Sequence, residues 1–185
     1  MSKIKIGVFV GSLRKQSFSR KVAKVVMTAL PEDFEAGIID IGELAIFNQD
    51  YDDEGATPHE LTRFREEVKA LDGVLFVTPE YNRSVPPVLK NALDVGSRPY
   101  GQNVWDGKPG ALIGVSIGAI GGFGAAQQVR QSLSFLNVPT LGQPEAYIGN
   151  AQPLFNDAGE IVNEGAKKFL AAYADAFAKW VRRLR

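Results

Sequence analysis

The chain has 185 residues, 45% of them hydrophobic and 23% charged, a balance that suits one folded domain around one core and excludes a disordered or fibrous chain. Lysine plus arginine and aspartate plus glutamate each number 21, so no bulk field gathers nucleic acid or an anionic membrane, and any anion must be held by a local site. There is no cysteine, which excludes disulfides, thiolate nucleophiles and thiolate metal ligands together and fits a reducing compartment.

Taken in chain order, apolar runs with strand character alternate with amphipathic runs. "IKIGVFV" (Ile4–Val10) is a β-branched run too short to cross a bilayer or to form a secretory signal, so no membrane insertion and a cytoplasmic chain are expected. A helical pattern from Phe18 to Leu30 stops at Pro31, and "AGIIDIGEL" (Ala36–Leu44) reads as a second strand. An acidic loop, "NQDYDDEGATP", follows. It lacks the twelve-residue spacing and terminal glutamate of a calcium loop. A helix is expected from Pro58 to Leu71, a third strand over Gly73–Asn82 and a short helix over Pro86–Gly96. Next come a strand over Gly110–Gly118, a helix over Gly124–Leu136, a weaker strand around Tyr147 and a closing helix over Glu164–Leu184.

Five strands alternating with five helices predict a single α/β domain over residues 1–185, with a parallel sheet covered on both faces in three layers. The usual doubly wound order for five strands is 2-1-3-4-5, which puts a ligand crevice at the carboxyl ends of strands 1 and 3.

The loops leaving those two strands are polar strand exits punctuated by glycine or proline. In "GSLRKQSFS" (Gly11–Ser19), Ser12, Arg14, Ser17 and Ser19 gather hydroxyls and one guanidinium at a helix entry, where unpaired amides favour an anion such as a terminal phosphate. A capping serine among solvated cations would read the same way. In "TPEYNRSVPP", Pro79, Glu80, Tyr81 and Asn82 offer backbone amides, a carboxylate, an aromatic face and a side-chain amide to a planar heterocycle; a proline-rich turn with a surface tyrosine is the alternative.

Familiar catalytic sets are missing from the sequence. Neither G-x-G-x-x-G nor G-x-x-x-x-G-K-[ST] occurs in the first loop. "GAIGGFG" (Gly118–Gly124) is either a turn that approaches a ligand or a tight turn before a helix. His59, the only histidine, sits at a helix start after the acidic loop and reads as a solvated residue, so no Ser-His-Asp set can be built. A phosphate-ready switch point with so few reactive side chains points to borrowed cofactor chemistry.

"GSLRKQSFS", "TPEYNRSVPPVLKNALDVGSRP" and "GAIGG" together resemble the NADPH-dependent FMN reductase family, particularly its chromate- and quinone-reductase branch, from Ile4 to at least Glu145. The resemblance implies a flavodoxin-like fold, bound FMN, NADPH or NADH as co-substrate, and a homodimer or homotetramer. By position, Ser12, Arg14, Ser17 and Ser19 would hold the FMN phosphate. Pro79, Glu80, Tyr81, Asn82 and Ser84 would line the ring, with Ser116 and the Ala119–Gly122 turn, including Gly121 and Gly122, on its other side. No metal is implied and no catalytic side chain, because flavin N5 carries the hydride. Quinones would be the acceptors, with free flavin, chromate, azo or nitro compounds beside them. A flavodoxin-type carrier or a redox sensor remains the alternative to turnover. Lys90, Asn91 and Arg98 fall where the family makes its subunit interface, and Arg98 could instead meet the dinucleotide phosphate. Two positions depart from the family: Ser19 stands where asparagine is common, and Val95 where an aromatic is common.

Overall fold

In β1 (Ile4–Val10) the side chains of Ile4, Ile6, Val8 and Val10 turn to one face and Phe9 to the other, and both faces are buried. Such a strand lies between two helical layers. The computed structural model describes residues 2–185. After β1 come α1 (Phe18–Ala29), β2 (Phe34–Ile38), α2 (Asp50–Asp53), α3 (His59–Lys69), β3 (Gly73–Thr78), α4 (Pro87–Gly96), β4 (Gly110–Val115), α5 (Phe123–Phe135), β5 (Ala146–Ile148), a 3-10 turn (Gln152–Leu154) and α6 (Glu164–Leu184). All strand pairs are parallel, in the order β2-β1-β3-β4-β5, the doubly wound flavodoxin-like arrangement that the alternation predicts.

Residues of α1 and α6 pack with one face of the sheet, and those of α3, α4 and α5 with the other. The second layer centres on Phe9 and Trp105, whose rings lie 5.1 Å apart and each lie 5.1–6.2 Å from those of Phe64 and Phe76. The Trp105 indole N–H is satisfied by the Leu93 carbonyl at 3.0 Å. On the first face, the Tyr173 hydroxyl of α6 donates to the Leu112 carbonyl at 2.8 Å and accepts from the Leu112 N–H at 3.0 Å. It thereby serves the stretch of β4 that the three-residue β5 does not reach.

Several boundaries differ from the sequence reading. β2 is Phe34–Ile38 and not Ala36–Leu44, because an Asp40 carboxylate accepting from Gly42 N–H at 2.9 Å turns the chain, although Ile39 and Ile41 are buried. β3 ends at Thr78, where Pro79 removes the next ladder donor, and β4 ends at Val115. The acidic loop contains the single turn α2, pinned by the Asp52–Arg65 pair at 2.7 Å. Among the described residues no helix is long and apolar enough to cross a membrane.

Candidate active site

The exit of β1 enters α1 through a built cap. Ser17 is the N-cap, its hydroxyl oxygen accepting from Arg20 N–H at 3.2 Å while its O–H stays free to donate. The amides of Phe18 and Ser19 find no acceptor among the described residues, and the positive end of the α1 dipole lies at the same place. Ser12 and Ser19 are buried at 4% and 2% exposure. Arg14 is exposed and pairs with no carboxylate among the described residues. Ser12, Arg14, Ser17 and Ser19 all line one cleft with Phe18.

The opposite wall comes from the exit of β3. Pro79, Glu80 and Tyr81 line the same cleft, and the Tyr81 hydroxyl reaches the Ser12 hydroxyl at 3.5 Å. Tyr81 and Ser84 exchange backbone hydrogen bonds of 3.0 Å in both directions, and Asn82 and Arg83 between them have φ of 51° and 66°. That is the type I′ turn of a tight hairpin. It consumes the Tyr81 amide and leaves the Glu80 and Asn82 N–H groups without acceptors among the described residues. The Glu80 carboxylate accepts from Ala125 N–H at 3.1 Å, standing in for a cap that the N-cap Gly122 cannot supply. Ser84 does not line the cleft; its hydroxyl donates to Gln128 at 2.7 Å.

β4 supplies the third side through Val115, Ser116 and Ile117. Ala119 is exposed, whereas Gly121 and Gly122 are buried beneath the turn. At Gly121 φ is +67°, and a Cβ there would stand 2.6 Å from the Tyr147 carbonyl carbon. Gly121 and Gly122 are thus required by the packing of the turn on β4 and β5, and neither lines the cleft.

The enclosed part of the cleft holds about 150 Å³, less than the roughly 300–1,000 Å³ of a typical small-molecule site. This floor suits a phosphate with its adjoining chain, while Tyr81 and Ile117, 41% and 67% exposed, stand at an open mouth suited to a flat ring. Free amides, hydroxyls and one cation at a helix N-terminus fit a phosphate monoester, and the aromatic and aliphatic mouth fits the ring of FMN. Phe18, Val115 and Ile117 were not picked out from the sequence; an apolar residue beside a polar motif carries no signal of its own.

Near α4 the structure separates the expected interface residues. Asn91 is 8% exposed and bolts the loop before α2 by accepting from Phe47 N–H at 2.8 Å and donating to the Ala45 carbonyl at 3.0 Å. Its side chain is not available to a partner. Val95 is fully buried and its carbonyl accepts from the Arg65 Nε–H at 3.0 Å, so the missing aromatic belongs to the core. Lys90 pairs with Asp94 at 2.7 Å, and Arg98 lines a separate recess with Asp52, Asp53 and Tyr100. His59 is exposed.

A parallel sheet whose switch point joins an anion-binding helix start to an open aromatic mouth defines a mononucleotide-binding α/β domain that takes its reactivity from the bound group. The sequence profile of the NADPH-dependent FMN reductases matches residues 4–153. The chain is 54% identical over 177 residues to a quinone reductase of Pseudomonas putida, covering 96% of this chain and 94% of that one. It is 45% identical to a 2-hydroxy-1,4-benzoquinone reductase of a Burkholderia species, covering 97% of each chain. Its structure matches the flavoenzyme NAD(P)H:(acceptor) oxidoreductase FerB of Paracoccus denitrificans with a TM-score of 0.90 at 37% identity, covering 97% of this chain and 98% of that one. The chain belongs to the NADPH-dependent FMN reductase family, and it is a flavin-dependent oxidoreductase that uses FMN with NAD(P)H as electron donor.

Proposed function

We propose that this enzyme reduces quinones, and that residues 1–185 act as one FMN-binding domain. The observation that carries the acceptor class is the open cleft mouth: with Tyr81 and Ile117 41% and 67% exposed, a flavin ring held there keeps a face open on which a second flat, apolar ring can stack. Relatives covering nearly the whole chain carry quinone and hydroxybenzoquinone reductase names, which supports the same class. Free flavin, chromate, azo and nitro compounds are proposed as side acceptors.

When bound, FMN supplies a ring that takes hydride from NAD(P)H and passes it to the acceptor. The chain's own residues bind and orient. The Phe18 and Ser19 amides, the Ser12 and Ser19 hydroxyls and Arg14 hold the phosphate, with Ser17 fixing the helix start beneath it. Pro79, Glu80 and Tyr81 on one side and Ser116 with Ile117 on the other bracket the ring, and the unpaired Glu80 and Asn82 amides stabilise negative charge at its edge. Ala119 is exposed next to that bracket. Ser84, Gly121 and Gly122 support these walls from behind.

Self-association is proposed along the flank of α4, where Ile46 and Tyr100 are 74% and 93% exposed. A cytoplasmic location is proposed from the lack of cysteine. The test of function is a visible spectrum of the purified protein, then anaerobic NADPH or NADH, then a benzoquinone. Flavin bands that bleach and return with the quinone are expected. Flavin that bleaches without acceptor-dependent turnover would instead identify an electron carrier or sensor.

A further inference from the structure

Helix α5 carries a side chain, Gln128, whose hydrogen bonds all go to the loop after β3. Gln128 Oε1 accepts from the Ser84 hydroxyl at 2.7 Å and from Val85 N–H at 3.2 Å, while its Nε2 donates to the Arg83 carbonyl at 3.2 Å. All three bonds land on the Tyr81–Ser84 turn or the residue after it. The most strained part of that turn is Arg83, which carries a Cβ at φ 66° in the left-handed region. A type I′ turn favours Asn-Gly, and here it reads Asn82-Arg83. Left-handed backbone in residues with a Cβ persists where the surroundings over-determine it. Gln128 provides that restraint at Arg83 and at the two residues following it. Glu80, bound to Ala125 N–H, provides a second tie from the same helix on the other side of the turn.

We infer that Gln128 is a positioning residue of the flavin site. It holds the left-handed turn so that Tyr81 keeps its place in the cleft wall, with the unpaired Asn82 amide next to it. The inference rests on the cleft being the FMN site. Gln128 hydrogen-bonds no cleft-lining residue, so its polar contacts act through the turn.

The strain supplies its own test. Full-length apoprotein of wild type, Gln128→Ala, Arg83→Gly and the double variant is titrated with FMN, followed by flavin fluorescence. In Gln128→Ala, FMN affinity is expected to fall roughly tenfold, the scale of one relaxed backbone strain of this kind. Adding Arg83→Gly creates the favoured Asn-Gly turn, which forms unaided, and should recover most of the loss. Arg83→Gly alone should bind as wild type, because its pair with Glu80 is 3.5 Å long on a side chain 77% exposed. Wild-type affinity in Gln128→Ala, or a loss that glycine at 83 does not recover, would overturn the inference; a role in helix packing alone predicts the latter. Should Gln128→Ala not fold, Gln128→Glu keeps the acceptor and loses the donor to Arg83, and is read by the same rescue. A wild-type protein that binds no FMN would instead refute the site assignment itself.

Discussion

Arg14→Ala tests the phosphate floor most directly. A charged hydrogen bond to a phosphate oxygen contributes roughly 1.5–3 kcal/mol, and since Arg14 is exposed the low end applies, about a tenfold loss of FMN affinity. The same substitution should leave the apoprotein as stable as wild type, because the Arg14 side chain has no partner among the described residues to lose. Ser17→Ala behaves differently. It removes the α1 cap and costs about 1 kcal/mol of apoprotein stability before any flavin is added. Apoprotein titrated with FMN at low and at high salt reads the difference: the Arg14 effect should shrink as the Debye length falls from about 10 Å at 0.1 M to about 3 Å at 1 M. Unchanged affinity at low salt, or a loss matched by a destabilised apoprotein, would refute the assignment of Arg14 to the phosphate.

Tyr173→Phe should destabilise the fold by about 2–4 kcal/mol in chemical denaturation, because it strands a buried N–H and C=O of Leu112. Gly121→Ala meets both a left-handed φ and the Tyr147 backbone, so a loss of about 2–4 kcal/mol with weaker flavin retention is expected in thermal melts of apo and loaded protein. Asp52→Ala leaves the Arg65 guanidinium, 8% exposed, without its carboxylate and should cost about 3–5 kcal/mol. The Arg65 hydrogen bonds hold the Asp52 carboxyl below its ordinary value. The folded protein therefore binds fewer protons than the unfolded chain near that value. This stabilisation is complete above about pH 4 and is lost as pH falls through the lowered folded value, so Asp52→Asn should flatten the acid limb of stability against pH.

The two switch-point loops were legible because their signals are local: a glycine or proline after an apolar run, then serines before a helical pattern. Positions 12, 14, 17 and 19 fell into one cleft because a single strand-to-helix turn carries them all. The β2 boundary failed where burial continued past pairing, as at Ile41, since hydrophobicity reports burial and not which backbone groups are bonded. The glycine turn was half legible. Its tightness showed in the sequence, but whether its glycines face a ligand or β5 did not.

Strand and helix alternation, the parallel order and the place of the crevice follow from the sequence by itself, because periodicity and chain handedness act over neighbouring residues. Only the tertiary structure decided who satisfies the polar groups that this arrangement leaves over. Tyr173 serves Leu112 across 61 residues, Gln128 holds Ser84 across 44, and Asn91 binds Phe47 across 44. Each such partner is chosen by where a strand stops short or a turn strains, and those vacancies exist only once the layers have packed.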